Sequence, residues 1–187
     1  ARVVVAAPYE GRLRDTTAGR VAELSPRLWV PDEFGLCRYL AAGLATLQTV
    51  DPRLSVDLAL LADELDAEAL RSSVSREVFT NPAKALAERI MARRVVFAAD
   101  SATMLALAHH GSAVMLRVAG AVASSAPLAD VVIAFRAGML NAADDPVDVL
   151  FHDEQIDGPR SDRFRVLALT VNAERAVVAA RTSGFED

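Results

Sequence analysis

Val95-Val96-Phe97-Ala98-Ala99-Asp100-Ser101-Ala102 is the stretch that decides the fold. An unbroken apolar run with two adjacent β-branched residues reads as a strand buried on both faces, because a strand with a wet face would alternate. Asp100 and Ser101 follow at once, and both can accept hydrogen bonds from the free amides that open a helix. Strand, tight turn and helix from Ala102 are joined without slack, the unit from which parallel sheets covered by helices are built.

Working outward, Thr80-Asn81-Pro82 supplies an earlier helix start, with Asn81 as the capping acceptor and Pro82 at a first-turn site that needs no donor. That helix is expected to run to about Arg93. Beyond the stretch from Gly120 to Pro127, Leu128, Val131, Val132 and Phe135 recur at helical spacing. Val147 to Phe151 alternates like a strand, Arg165 to Thr170 (RVLALT) is strand-like, and Asn172 to Thr182 is helical with Gly184 as its C-cap.

Towards the N-terminus, Arg2 to Ala7 (RVVVAA) reads as a buried strand closed by Pro8, with a turn at Tyr9-Glu10-Gly11 and a second strand at Val21 to Leu24. Leu36, Tyr39, Leu40, Leu44 and Leu47 mark a helix from Phe34 to Val50, with Asp32 as candidate N-cap and Asp51-Pro52 as the stop. Cys37, beside Leu36 and Leu40, is expected to fill the core as a small apolar thiol. Leu58, Leu61, Leu65 and Leu70 mark a further helix, acidic on its other side, to about Arg71. The first residue falls almost inside a strand and the last where a βαβ pattern would begin another, so the chain is expected to be a fragment of a longer protein.

Composition bounds the function. With 52% hydrophobic and 24% charged residues among 187, the chain can bury a substantial core. A net charge of −5 argues against a general nucleic-acid binder, since that affinity comes from many phosphates neutralised together. The clusters Arg93-Arg94 and Arg160, Arg163, Arg165 are small and read as solvated faces or helix-end charges. A membrane helix needs about 20 apolar residues, and Arg117 and Asp130 interrupt the longest candidate, Gly111 to Phe135. Ala1 to Pro8 is not expected to be a secretory signal, and a single cysteine forms no intrachain disulfide, so the expected setting is the reducing cytoplasm.

Asn81-Pro82-Ala83-Lys84-Ala85-Leu86-Ala87, followed by Ile90, Arg93 and a strand, resembles the opening of the second sugar-isomerase (SIS) domain in bacterial phosphoglucose/phosphomannose isomerases. LADELDAEALRSSV, Leu61 to Val74, is similar to that family's acidic interdomain connector. RVVVAAPYEGRLRD, with Pro31 and the helix RYLAAGLATL, resembles the closing part of its first domain. The resemblance implies a three-layer αβα Rossmann-like parallel sheet in a double-SIS arrangement. Residues 1–52 would close a partial first domain, 53–80 form the connector, and 81–187 form the second domain. It further implies binding of a hexose phosphate or related carbohydrate derivative and a homodimer; no cofactor or metal is expected.

The catalytic positions do not match. Where the family carries W-K-T-Q-L-N-E-N-A-K, whose Glu moves the proton between sugar carbons, this chain reads Gly111-Ser112-Ala113-Val114-Met115-Leu116-Arg117-Val118-Ala119-Gly120. Arg117 stands in place of the Glu and cannot accept a proton at any usable pH. The N-H-N-E segment that supplies a ring-opening histidine has no counterpart between Ala121 and Phe135, and the serine-rich phosphate loop of the first domain is not in this sequence, which is expected to start after it. No catalytic residue is therefore assigned. The expectation is a phosphosugar-binding protein lacking the usual machinery, serving as a sensor or accessory subunit. An active aldose-ketose isomerase using other residues or a partner, and a ligand-free dimerisation domain, are its rivals.

Candidate binding residues come from the decisive turn. Between a buried strand and a helix start, free amides and the helix dipole favour an anion, which makes Ser101 and Thr103 candidate phosphosugar ligands, against the plainer reading as a helix cap. Asp100 would oppose an anion there. His109 and His110 are adjacent and point about 100° apart on a helix, so structural roles are expected rather than a shared metal. His152, Asp153, Glu154 and Asp157 could hold a cation or simply form an acidic surface loop.

Overall fold

The computed structural model describes residues 3–7, 10–16, 21–25, 28–91, 93–139 and 164–184. Contacts divide the chain into two compact units, Ala1–Asn81 and Pro82–Asp187. Each is a mixture of helices and parallel strands.

In the first unit β1 (Val3–Val5) pairs in parallel with β2 (Val21–Glu23), Val3 opposite Val21, and α1 (Gly11–Thr16) lies between them in sequence. The Leu24 amide extends the pairing by donating to the Val5 carbonyl at 2.8 Å. Then follows α2 (Leu36–Val50). Asp32 is not its N-cap, contrary to the sequence expectation. Asp32–Phe34 forms a 3₁₀ turn whose first carbonyl accepts from Gly35, and Gly35 itself takes the capping position without a side-chain bond. The Tyr39 ring lies 2.9 Å from where a Cβ on residue 35 would stand, so a side chain there would require the ring to shift. Asp51 ends α2 with its amide on the Leu47 carbonyl. Its carboxylate accepts from Arg53 at 3.0 Å, a bond that holds Asp51 below the usual carboxylate range.

Cys37 is exposed, which corrects the expectation that it fills the core. The side of α2 that faces β1 carries Tyr39, Ala42, Gly43 and Thr46, which border a shallow, open apolar hollow with Val4 and Ala6. Cys37 precedes Thr46 by nine residues, and at about 100° per residue that places it half a turn away. Further on, α3 (Leu58–Arg71) starts where expected, with Asp57 accepting from the amides of Ala59 and Leu60 at 3.0 Å. The unit ends at Asn81, whose buried side chain donates from Nδ2 to the Ser73 carbonyl at 2.7 Å.

The second unit runs α4 (Pro82–Ile90), β3 (Arg94–Ala99), α5 (Ala102–Ala119), β4 (Ala123–Pro127), α6 (Leu128–Arg136), β5 (Phe164–Leu169) and α7 (Arg175–Arg181). Among the described strands the order is β4-β3-β5, parallel throughout, with Val95 opposite Ala123 and Arg165. The decisive stretch is thus the middle strand. It alternates: Val96 and Ala98 pack with Leu128 and Val131 of α6 and Val178 of α7, while the Phe97 ring lies 3.5 Å from where a Cβ on Gly111 of α5 would be. Helices therefore cover both faces of the sheet. Fully burying each valine contributes roughly 1.5–3 kcal/mol.

β4 is an element that sequence reading passed over. Ala123-Ser124-Ser125-Ala126-Pro127 has no β-branched or aromatic residue, and its strand form comes from pairing with β3 rather than from propensity. Pro127 is tolerated because it closes the strand and caps α6 in the same step. α5 ends at Gly120 in a left-handed conformation (φ 62°), with its amide on the Met115 carbonyl. α4 stops at Ile90, short of the expected Arg93, and the expected helix from Asn172 begins as a 3₁₀ turn, Asn172–Glu174. The strand expected at Val147 to Phe151 lies outside the described residues. Among the described residues, no helix is long and apolar enough to cross a membrane.

Candidate functional site

Parallel strands point their carboxyl ends to one edge of a sheet, and there the connections of β3 and β5 meet. Asp100 and Ser101 leave β3, while the 3₁₀ turn Asn172–Glu174 and α7 follow β5. Together they border an open hollow of about 350 Å³ lined by Asp100, Ser101, Glu174, Val177, Val178 and Arg181. Such an edge is where open α/β sheets place ligands.

Ser101 is extended at the N-cap of α5, and its Oγ accepts from the Met104 amide at 3.3 Å. The amides of Ala102 and Thr103, in the first turn, have no intrahelical acceptor by the geometry of a helix start. The Arg181 guanidinium, at the far end of α7, is ion-paired with the Asp100 carboxylate. Two carboxylates and one guanidinium give the lining a formal charge of −1.

Of the two residues singled out from the sequence, Ser101 lines the hollow, whereas Thr103 sits exposed on the first turn of α5 and is not part of the lining. Sequence reading missed Glu174, Val177, Val178 and Arg181. The available signal was that Arg165 to Thr182 repeats the strand-turn-helix order of Val95 onward, so its turn must reach the same edge. Arg117, exposed in the last turn of α5, carries a positive charge where the helix dipole favours one.

His109 Nδ1 and Ser125 Oγ are hydrogen-bonded at 2.6 Å, tying α5 to β4. His110 is half-buried on the same helix. Among the described residues no group of three or more His, Cys, Asp or Glu side chains could hold a metal ion. His152, Asp153, Glu154 and Asp157 lie outside the described residues.

Compared with protein-family models, curated proteins and solved structures, the chain matches none of them.

Proposed function

We propose that this chain is a phosphosugar-binding protein of the SIS type, with a three-layer αβα Rossmann-like fold in a double-SIS arrangement, acting in the cytoplasm as a homodimer. The observation that carries the reading is the hollow at the carboxyl edge of β3 and β5, lined by Ser101, the N-cap residue of α5. A hexose phosphate would set its anion near Ser101, toward a helix start whose first amides lack an intrahelical acceptor and where the helix dipole favours negative charge. The Asn81 to Ala87 resemblance supports the family, and the negative net charge supports a small-molecule partner over nucleic acid.

The protein binds without turning over. Enediol formation needs a carboxylate base, and the aligned position holds Arg117, which is charged and has no acceptor to offer. A ligand-free dimerisation domain is favoured by a different observation. α3 leaves Leu60 and Leu70 exposed at 59% and 72%, on a helix with no buried residue.

Melting the purified protein with millimolar glucose 6-phosphate, fructose 6-phosphate and mannose 6-phosphate, beside a coupled isomerase assay, tests these readings. Binding to the folded state raises the melting temperature, and no turnover is expected, from the wild type or from Arg117→Glu. An unchanged melting temperature with every sugar phosphate favours the dimerisation domain. Robust wild-type turnover shows an isomerase that uses other residues.

A further inference from the structure

Arg181 reaches Asp100 across 81 positions of sequence, from the end of α7 to the turn after β3. The pair is a single contact between one guanidinium nitrogen and one carboxylate oxygen, Nη1 to Oδ2. A guanidinium has five donors in a planar fork that matches two oxygens of a phosphate, and it stays charged at every working pH. Arg181 therefore holds most of its fork unused, with no further acceptor among the described residues, at the border of the hollow. Its side chain is 55% exposed against 27% for Asp100, so the guanidinium is the more accessible partner.

We infer that Arg181 is the anion-recognising side chain of this hollow, and that Asp100 is its internal competitor, held against the guanidinium until a phosphate group displaces it. The sugar half of this inference rests on the phosphosugar reading; the anion half does not. A phosphate monoester fits the fork as a bidentate partner, which the present single contact does not use. Once displaced, the carboxylates of Asp100 and Glu174 can accept only from hydroxyl or other donors, while Val177 and Val178 offer an apolar wall. The ligand class is a small polyhydroxylated phosphate ester. Because the lining carries one excess negative charge, a neutral residue at 100 improves anion binding, whereas a purely structural ion pair gains nothing from the same change.

Calorimetric titration of the whole chain with glucose 6-phosphate, inorganic phosphate and glucose tests this, for wild type, Asp100→Asn, Arg181→Gln and Arg181→Lys, each checked for fold by circular dichroism. Asp100→Asn is expected to bind glucose 6-phosphate and phosphate at least threefold more tightly. Arg181→Gln is expected to lose tenfold or more. Arg181→Lys, which keeps charge and helix but not the fork, should fall between wild type and Gln. It carries the test if the Gln variant does not fold. Wild-type affinity in the arginine variants, or weaker binding by folded Asp100→Asn, overturns the inference. Should inorganic phosphate follow this order while glucose 6-phosphate binds no variant, the phosphosugar reading falls and the role of Arg181 stands. If no probe binds any variant, both fall.

Discussion

The ion pair between Arg181 and Asp100 fastens the connection after β5 to the connection after β3, at the same edge of the sheet. Both partners are partly solvated, so the pair is worth little as a structural clamp. Exposed pairs typically contribute about 0.2–1 kcal/mol and weaken as salt screens them. A double-mutant cycle with Asp100→Asn and Arg181→Gln, followed by urea unfolding, should give a coupling below about 1 kcal/mol at low salt, and less in 1 M salt. A salt-insensitive coupling well above that would mark a buried structural pair instead.

Ser101→Ala removes the bond to the Met104 amide and leaves the helix start short of an acceptor. The expected cost is about 0.5–2 kcal/mol, with Ser101→Asp close to neutral because aspartate caps as well. Denaturant melts of the two variants check this. Equal losses for both would show that the hydroxyl matters through something other than capping.

Leu128 is 1% exposed, against Val96, Ala98, Val131 and Val178, whereas Ile133 on the same helix is 66% exposed. Leu128→Ala should destabilise by about 2–5 kcal/mol. Ile133→Ala should stay within about 0.5 kcal/mol of wild type. Similar losses at the two positions would mean that the face with Ile133 is covered.

Arg53 donates to Asp51 and holds its carboxyl below the usual range. A carboxyl depressed in the folded state adds stability that is present above its unfolded pKa and disappears as pH falls through the folded one. A carbon-detected NMR titration should therefore find Asp51 titrating below ordinary aspartates in wild type and moving up in Arg53→Gln. An unchanged midpoint in the variant would remove Arg53 as the cause.

Much of the second unit was legible because its central strand is an unbroken apolar run ending in a capping pair and the helix from Leu128 carries apolar residues at regular spacing. Val95 to Ala99, the helix from Ala102 and the strand near Arg165 stand where periodicity puts them. β4 was not legible, since Ser124 and Ser125 become strand through the neighbour they pair with. At Gly35 the deciding feature is the 3₁₀ turn Asp32–Phe34 that precedes it, and at Cys37 it is the direction of β1 from α2. Neither can be read from local propensity.

The site divides in the same way. Ser101 announces itself as a cap between a buried strand and a helix. Arg181 does not, because its meaning depends on a partner 81 residues away and on two strands ending at one edge. Its local context, the last turn of a short helix, is where an arginine is expected for the dipole alone.

The most direct measurement is a ¹⁵N NMR titration of the whole chain with glucose 6-phosphate, reading the amides of Ser101, Ala102 and Thr103 and the Arg181 side chain. Saturable shifts at these groups, smaller with inorganic phosphate and absent with glucose, are expected if the carboxyl edge of β3 and β5 binds a phosphosugar. Unmoved signals there at millimolar ligand, or shifts confined to other parts of the chain, would contradict it.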